Sequence, residues 1–391
     1  TLMAGMWAMV VPTIPVLAKN FAITPGTAAQ VITALSVGRF AGMPISGFVL
    51  DRFGARTALI AGPLIACLSA ILAASMPWFA LILIPVFFIG IADSIWVIAR
   101  EIAGVDLVRA DQRGRVLSGF HGINYLGLAF GPLIGGLLTE HIGFRAVFLA
   151  YAACAALSTV IGWKIEARHH PAPPAADTAV ATGWSVAAFA QRLRGIRNLF
   201  YEIRPELRAT YIVLVLATFT SFAHRVTTQS IVPIFASEML HMTPKEIGLL
   251  FTISGLSVFA MILPAGFVID KVGRKWATVP STGIPAIAFL LIPFADSFFQ
   301  LAVLLSFLGV ANGLSLGSLA TSTFDVVPAH ARGRLQALRR TLAELGGVSA
   351  PLIGGYLADK FNPGVPFLAY APLLILAALL LAVMARETLE K

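Results

Sequence analysis

Long apolar stretches recur along the whole chain and restrict it to folds that a membrane can hold. Twelve runs of about twenty mostly apolar residues alternate with short charged or Pro/Gly-containing segments. A helix of about 20 residues crosses the ~30 Å hydrocarbon core and satisfies its own backbone hydrogen bonds. Only 12% of the residues are charged and 58% are hydrophobic, which excludes a soluble enzyme, a disordered chain, a disulfide scaffold and a nucleic-acid module. We expect an all-α membrane protein with twelve transmembrane helices.

The apolar runs leave one long polar segment in the middle of the chain. Residues 165–207 begin with a Pro/Ala-rich stretch and continue with apolar residues at helical spacing against arginines. This second pattern is typical of an amphipathic helix that lies on an anionic membrane surface, or of a linker helix packed on protein. The predicted helices are 1–18, 28–50, 57–76, 79–105, 115–138, 146–164, 208–236, 246–269, 276–295, 298–323, 334–358 and 365–385.

An internal repeat with an offset of 219 residues divides these helices into two groups of six. GFVLDRFG at 47–54 returns as GFVIDKVG at 266–273, and GPLIGG at 131–136 returns as APLIGG at 350–355. We therefore expect two pseudo-symmetric six-helix domains, 1–164 and 208–391, joined by a cytoplasmic linker at 165–207. Six crossings return the chain to its starting side, so the domains are parallel repeats with a binding site between them near the midplane.

Basic residues predict the orientation of the chain. Most loop lysines and arginines follow even-numbered helices, as Arg52, Arg113, Arg274 and Arg332 do, and short cytoplasmic loops retain positive charge. Both termini are therefore expected in the cytoplasm. The chain opens at Thr1 within an apolar run. We therefore expect the first helix to begin before residue 1, and any acid of that helix to lie in this earlier part.

The segment after the second predicted helix, together with its repeat, resembles a known family motif. GFVLDRFGAR at 47–56 is similar to G-x-L-a-D-r-x-G-r-k of the major facilitator superfamily, and 266–275 is a second copy. Residues 127–136 look like the helix-five motif that the family associates with proton-driven drug exporters, although helix eleven carries nearly the same string. Val86 stands where such exporters place an arginine, and the visible part of helix one has no acid. The resemblance covers the whole chain and implies a multi-pass transporter of the bacterial inner membrane.

The repeated motif and nearby charges are expected to form a cytoplasmic gate. Small residues at Gly47 and Gly266 would allow close helix contact, while Asp51 and Asp270 would cap a helix or pair with arginines. Such pairing would hold one conformation and be released in another; the alternative is a turn that only keeps positive charge inside. The candidate gate residues are Gly47, Asp51, Arg52, Gly54, Arg56, Arg100, Glu101, Asp106, Gly266, Asp270, Gly273, Arg274 and Asp325. The candidate packing residues of helices five and eleven are Gly127, Gly131, Pro132, Gly135, Gly136, Pro351, Gly354 and Gly355.

Ionisable residues inside predicted spans are the second group of candidates, because they are costly in a membrane and usually functional. Asp93 lies about halfway along helix four, and Arg39 lies about 18 Å along its helix from the motif. We expect Asp93 to carry a proton or bind substrate; a structural ion pair with Arg39 is the alternative. Arg340 and Glu344 have the spacing of an intrahelical pair. The full set is Asp93, Arg39, Glu344, Arg340, Arg225, His224, Asn124, Tyr125, His121 and Asn312.

The function that these features predict is secondary active transport by alternating access, driven by protons. The sequence has no Walker-type loop, nucleotide-hydrolysis domain or metal-ligand cluster, so we expect no catalytic residue, cofactor or metal. Export of an amphipathic or drug-like compound is the first interpretation, and the arginines favour an anionic or zwitterionic one. Uptake or facilitated transport of a metabolite or organic anion is the alternative; an intramembrane enzyme or a non-transporting receptor is disfavoured. The expected partners are a small-molecule substrate, protons and membrane lipids, without nucleic acid, and the protein is expected to be a monomer.

Overall fold

The computed structural model describes residues 2–106, 113–164, 200–328 and 331–387, without the side chains of 2, 4, 101–106, 113–122 and 333. All regular secondary structure in these residues is helical. Eight helical segments are long and apolar enough to cross a membrane, and one of them, Pro25–Ser75, contains two of the predicted spans. Large apolar side chains such as Leu263 and Val383 are at least 80% exposed, as expected on a surface that faces lipid. The predicted all-helical membrane fold is confirmed.

Twelve helices in the described residues correspond to the predicted spans. Helix α1 consists of Leu2–Met6, the 3-10 segment Trp7–Thr13 with Pro12 inside it, and Ile14–Asn20. Helices α2 and α3 are the parts of Gln30–Ser75 before and after Gly54. The others are α4 Phe79–Asp106, α5 Arg113–His141, α6 Phe144–Lys164, α7 Pro205–Glu238, α8 Pro244–Phe267, α9 Arg274–Leu291, α10 Phe298–Val326, α11 Arg332–Lys360 and α12 Val365–Met384.

The boundary between the second and third helices differs from the expected loop at 51–56. The helix continues through the motif and is broken only at Gly54, whose φ of 79° and ψ of 166° are almost confined to glycine. In the second copy, the π-helical turn Val268–Val272 precedes Gly273, which has a φ of 152°. The repeated motif is therefore helical up to its last glycine, because that residue alone provides the turn.

The opposite ends of the repeated helices begin with equivalent caps. Thr24 and Thr243, which are 219 residues apart, each accept a hydrogen bond from a backbone N–H of the following turn. Each threonine precedes a proline, whose fixed φ suits the first helical turn. We call the end of the bundle at Gly54 and Gly273 the motif face, and the end at Thr24 and Thr243 the far face.

The apolar core extends through both groups of six helices, which we call the N half (α1–α6) and the C half (α7–α12). Trp7 packs edge-on against Tyr151 in the N half, and Phe289 against Phe367 in the C half. A smaller cluster surrounds Tyr211, whose hydroxyl donates a hydrogen bond to the Leu335 carbonyl at 2.9 Å. The predicted amphipathic helix at 184–200 lies outside the described residues, apart from Phe200.

Candidate functional site

A cavity of about 560 Å³ lies between the two halves. Its wall is formed by α1, α2, α4 and α5 of the N half and by α7, α8, α10 and α11 of the C half. This volume is within the usual range for a site that binds a small organic molecule. The charged side chains of the wall are Arg39, Arg100, Arg225, Arg339, Arg340 and Asp93. The cavity therefore combines five arginines with one acid among its described lining residues.

Asp93, the one acid among the described residues of the wall, is paired with an arginine of the N half. Arg39 Nε of α2 donates a hydrogen bond to Asp93 Oδ2 of α4 at 2.8 Å. The Ser94 hydroxyl also donates to the Arg39 carbonyl at 2.9 Å. A Cβ on Gly90 would lie 2.3 Å from the Leu35 carbonyl oxygen, so glycine at this position is what lets the two helices approach. The side chains of Asp93 and Arg39 remain 11% and 35% exposed, so water in the cavity reaches both.

The equivalent region of the C half contains an arginine bonded to neutral groups. Arg225 of α7 donates from Nε to Asn312 Oδ1 of α10 at 2.8 Å and from Nη2 to the Ser315 hydroxyl. The neighbouring His224 places Nε2 3.2 Å from the same Asn312 oxygen. Its Nδ1 lies 3.2 Å from the Thr220 carbonyl, so oxygen atoms face both ring nitrogens.

Helix α11 adds charged side chains of the C half to the same region. Arg340 lines the cavity, and Glu344 is 8% exposed and interacts electrostatically with Arg39, Arg340 and Asp93. No ion pair within 4 Å joins Arg340 to Glu344 in the described part of the chain, so α11 lacks the direct intrahelical pair. Arg339 is a cavity residue that the sequence analysis missed, although it stands beside Arg340 in the same predicted span. It donates to the hydroxyl of Thr218 at 2.7 Å.

The remaining candidate residues for coupling or binding lie on α4 and α5. Asn124 and Tyr125 both line the cavity, and Asn124 Oδ1 is buried without a hydrogen-bond partner in the described residues. Arg100, expected at a gate, lies on the cavity wall, with its guanidinium 5.0 Å from the centre of the Trp96 ring. The side chains of His121, Glu101 and Asp106 lie outside the described residues.

The two copies of the repeated motif differ in their contacts. Arg274, at the start of α9, donates hydrogen bonds to Asp270 at 3.3 Å and to Asp325 at 3.1 Å. These bonds connect α9 to the π-helical turn after α8 and to α10, all within the C half. Asp51 is exposed and forms no ion pair with the described residues; Arg52 and Arg56 are exposed as well. Among the described residues, a Cβ on Gly47 or Gly266 would have no neighbour within 4 Å. The close helix contact expected at these two glycines is therefore absent among the described residues.

The glycine motifs of α5 and α11 both form close contacts with the backbone of neighbouring helices. A Cβ on Gly135 would lie 2.1 Å from the Met9 carbonyl oxygen, so α5 packs directly on α1. Gly136 faces the C half at the Pro244 carbonyl, whereas its repeat partner Gly355 faces the N half at the Gly26 carbonyl. Further close contacts join Gly127 to Gly5, Gly131 to Gly5, Pro132 to Gly248 and Gly354 to Ile231, and Pro351 is buried beside them. Both motifs therefore serve packing within and between the halves.

Two carboxylates connect the halves at the far face. Asp359, at the end of α11, accepts hydrogen bonds from the Thr24 hydroxyl at 2.6 Å and the Gly26 N–H at 2.7 Å. Glu140, at the end of α5, accepts one from the Lys245 N–H at 3.1 Å. The repeat offset relates Glu140 to Asp359 and Gly26 to Lys245, so each half caps a helix of the other. We call this pair of contacts the far-face latch; no sequence motif pointed to it, although the repeat offset relates its members.

Comparison with known proteins assigns the chain to a family. The Major Facilitator Superfamily model matches residues 1–223 and 214–391. Multidrug resistance protein 2 of Bacillus subtilis is 22% identical over 92% of this chain and 86% of its own length. The efflux pump PmrA of Streptococcus pneumoniae is 27% identical over 93% of this chain and 88% of its own length. The class C tetracycline resistance protein of Escherichia coli is 24% identical over 88% of this chain and 84% of its own length.

Solved structures show the same fold. The inward-open xylose transporter XylE of E. coli superposes with a TM-score of 0.76 at 17% identity, covering 100% of this chain and 95% of that one. At this identity the likeness concerns architecture alone. A family model that covers both halves, a full-length structural match and a cavity between the halves agree with one another. The chain is therefore a multi-pass membrane transporter of the major facilitator superfamily and not an enzyme.

Proposed function

We propose that the protein exports a small amphipathic compound in exchange for protons, by alternating access. The observation that carries this proposal is that Asp93, the one acid among the described residues of the cavity wall, stays 11% exposed to the cavity beside Arg39. A carboxylate in a spanning helix is costly and is retained where it moves charge. Asp93 can take up a proton from cavity water, and protonation would remove the charge that neutralises Arg39.

The position of Glu344 supplies a route by which protonation can move the halves. Asp93 and Arg39 belong to the N half, whereas Glu344 belongs to the C half and interacts electrostatically with both. When Asp93 is negative, it repels Glu344 while Arg39 attracts it; when Asp93 is neutral, the attraction between Arg39 and Glu344 prevails. Proton binding therefore changes the free energy of bringing the halves together around the cavity.

Export is the direction that the named relatives favour. Two of them are called multidrug resistance or efflux proteins and a third a tetracycline resistance protein. We infer the same direction for this chain, with the halves at 1–164 and 208–391 and a linker at 165–207. The basic residues near the motif face support a cytoplasmic position for this face and for both termini, in a protein of the bacterial inner membrane. The protein functions as a monomer, since one chain encloses the cavity.

Reconstitution in sealed liposomes tests the coupling. Purified protein is given radiolabelled tetracycline, salicylate or benzyltrimethylammonium under an imposed pH gradient. Antiport predicts accumulation of at least one probe when the lumen is acidic, because protons leave as the probe enters. Accumulation that exceeds that of protein-free liposomes only with an alkaline lumen would instead indicate symport, and such accumulation independent of the gradient would refute proton coupling.

Variants of two aspartates assign the coupling to its site. Asp93→Asn is expected to abolish gradient-driven accumulation but to preserve exchange of labelled for unlabelled probe. The amide oxygen can still accept the Arg39 hydrogen bond, as Asn312 does for Arg225 in the C half. Asp296→Asn, an exposed acid at the far face, is the matched control and should transport as the wild type does. Full gradient-driven accumulation by Asp93→Asn would contradict the assignment.

A further inference from the structure

Equivalent acceptor positions in the two halves each receive a hydrogen bond from an arginine, but the two acceptors differ in charge. Asp93 and Asn312 are 219 residues apart and occupy equivalent positions on α4 and α10. Each side-chain oxygen accepts a hydrogen bond from an arginine Nε at 2.8 Å. In the N half the acceptor is a carboxylate, and in the C half it is a neutral amide. The N-half arginine thus has a counter-ion within the protein, whereas Arg225 is bonded to neutral oxygens.

The arginine of the C half is not a remnant of the duplication. Arg39 lies on α2, and its repeat partner is Val258 of α8; Arg225 lies on α7, and its repeat partner is Met6 of α1. The two arginines therefore reach equivalent acceptors from different helices. A positive charge is present in the C half independently of the repeat, at a place where the acceptor has no charge to balance it.

The charge of Arg225 is costly unless something else compensates it. The side chain lies in a spanning helix and makes no ion pair with any described carboxylate, and its bonds are to Asn312 and Ser315. Those bonds use two of the five N–H donors of the guanidinium. Buried charges are normally paired, and a guanidinium matches a carboxylate in geometry as well as charge.

We propose that Arg225, held by Asn312 and Ser315, binds the anionic group of the transported compound, which is an organic carboxylate or sulfonate. The cavity wall also presents Phe222, Phe251 and Tyr125, so an aromatic or aliphatic body has apolar surface to contact. The compound supplies the charge that Asp93 supplies in the N half. This assignment adds the chemical class of the substrate to the proposed function. It rests on the proposed function in one respect, which is that the cavity is the transport site.

Equilibrium binding without a pH gradient tests the assignment separately from proton coupling. Salicylate, benzyl alcohol and benzyltrimethylammonium, which are anionic, neutral and cationic aryl compounds, are each dialysed against the purified wild-type protein. Salicylate is expected to bind at least tenfold more tightly than the other two. Equal binding of all three probes, or preference for the cation, would overturn the proposal whatever the result of the liposome experiment.

Asn312→Asp is the decisive variant, because it gives Arg225 the internal carboxylate that Arg39 has. We expect it to bind salicylate at least tenfold more weakly than the wild type and benzyltrimethylammonium more tightly. The gain in cation binding would also show that the variant is folded. Asn362→Asp makes the same change at the far face, outside the cavity, where the side chain still accepts its bond from the Gly364 N–H. It should leave salicylate binding unchanged, and wild-type affinity of Asn312→Asp for salicylate would refute the inference.

Discussion

Removing the charge of Asp359 is expected to open the far face of the protein. Its carboxylate accepts two hydrogen bonds at the start of a helix of the other half, at 2.6 Å from the Thr24 hydroxyl and 2.7 Å from the Gly26 N–H. Both the negative charge and its position at a helix N-terminus strengthen the contact. Every hydrogen bond between the halves in the described residues belongs to the far-face latch. The latch therefore stabilises the conformation that is closed at this face.

The magnitude follows from the number and exposure of these bonds. Asp359→Asn removes the charge and one acceptor oxygen, which costs the closed state about 1–2 kcal/mol because the contact is partly exposed to solvent. That free energy corresponds to a roughly 5- to 30-fold rise in the ratio of open to closed molecules. Glu140→Gln should have a smaller effect, since Glu140 accepts a single, longer bond of 3.1 Å.

Distances between spin labels across the far face measure this ratio. Ile142→Cys and Phe299→Cys place labels on exposed positions of the N and C halves, with both native cysteines replaced. Pulsed electron–electron double resonance should show a larger population at long distance in Asp359→Asn than in the labelled parent. Asp296→Asn removes an exposed acid from the same face and is the control. An unchanged distribution in Asp359→Asn, or an equal change in the control, would refute the reasoning.

Two further predictions concern glycines of the repeated motifs. Gly135→Ala should lower the midpoint of thermal unfolding in detergent by forcing α1 and α5 apart, at a cost of about 1–3 kcal/mol. Gly47→Ala is the control and should leave the midpoint nearly unchanged, because its Cβ would meet none of the described residues within 4 Å. Equal midpoints for the two variants would contradict the close contact at Gly135. Gly54→Ala should destabilise the protein by about 1–3 kcal/mol, because the φ of 79° at this position strains any residue that has a Cβ. Limited proteolysis at the motif face should also become faster. Wild-type stability and a wild-type rate of proteolysis would exclude this strain.

The sequence predicted the helices well but not all of their ends. Apolar run length is a local property, so the described structure reproduces the order of the predicted spans. The expected loop at 51–56 is absent because residues before Gly54 are compatible with a helix and only the glycine provides the turn. The contacts expected at Gly47 and Gly266 are not found among the described residues, because a small residue permits close helix contact without requiring it.

The candidate site was predicted in part. The cost of ionisable groups in a membrane singled out Asp93, Arg39 and Arg225, all of which line the cavity. Arg339 was not predicted because the sequence does not show which of two neighbouring arginines in one span turns toward a cavity. Glu140 and Asp359 were not predicted because acids at helix ends resemble ordinary solvent-exposed charges. Their partners are backbone N–H groups of the other half, which no side-chain pattern indicates.

The sequence by itself determined the membrane location, the helical class and the division into two related halves. These properties follow from hydrophobicity, backbone hydrogen bonding and a constant repeat offset, none of which requires knowledge of helix packing. Only the tertiary structure decided that Asp93 meets Arg39 while Asn312 meets Arg225. Which side chains meet depends on the rotation and separation of neighbouring helices, and these are set by close contacts of small residues such as Gly90 and Gly135. The same duplicated frame therefore holds an ion pair in one half and an arginine with neutral partners in the other.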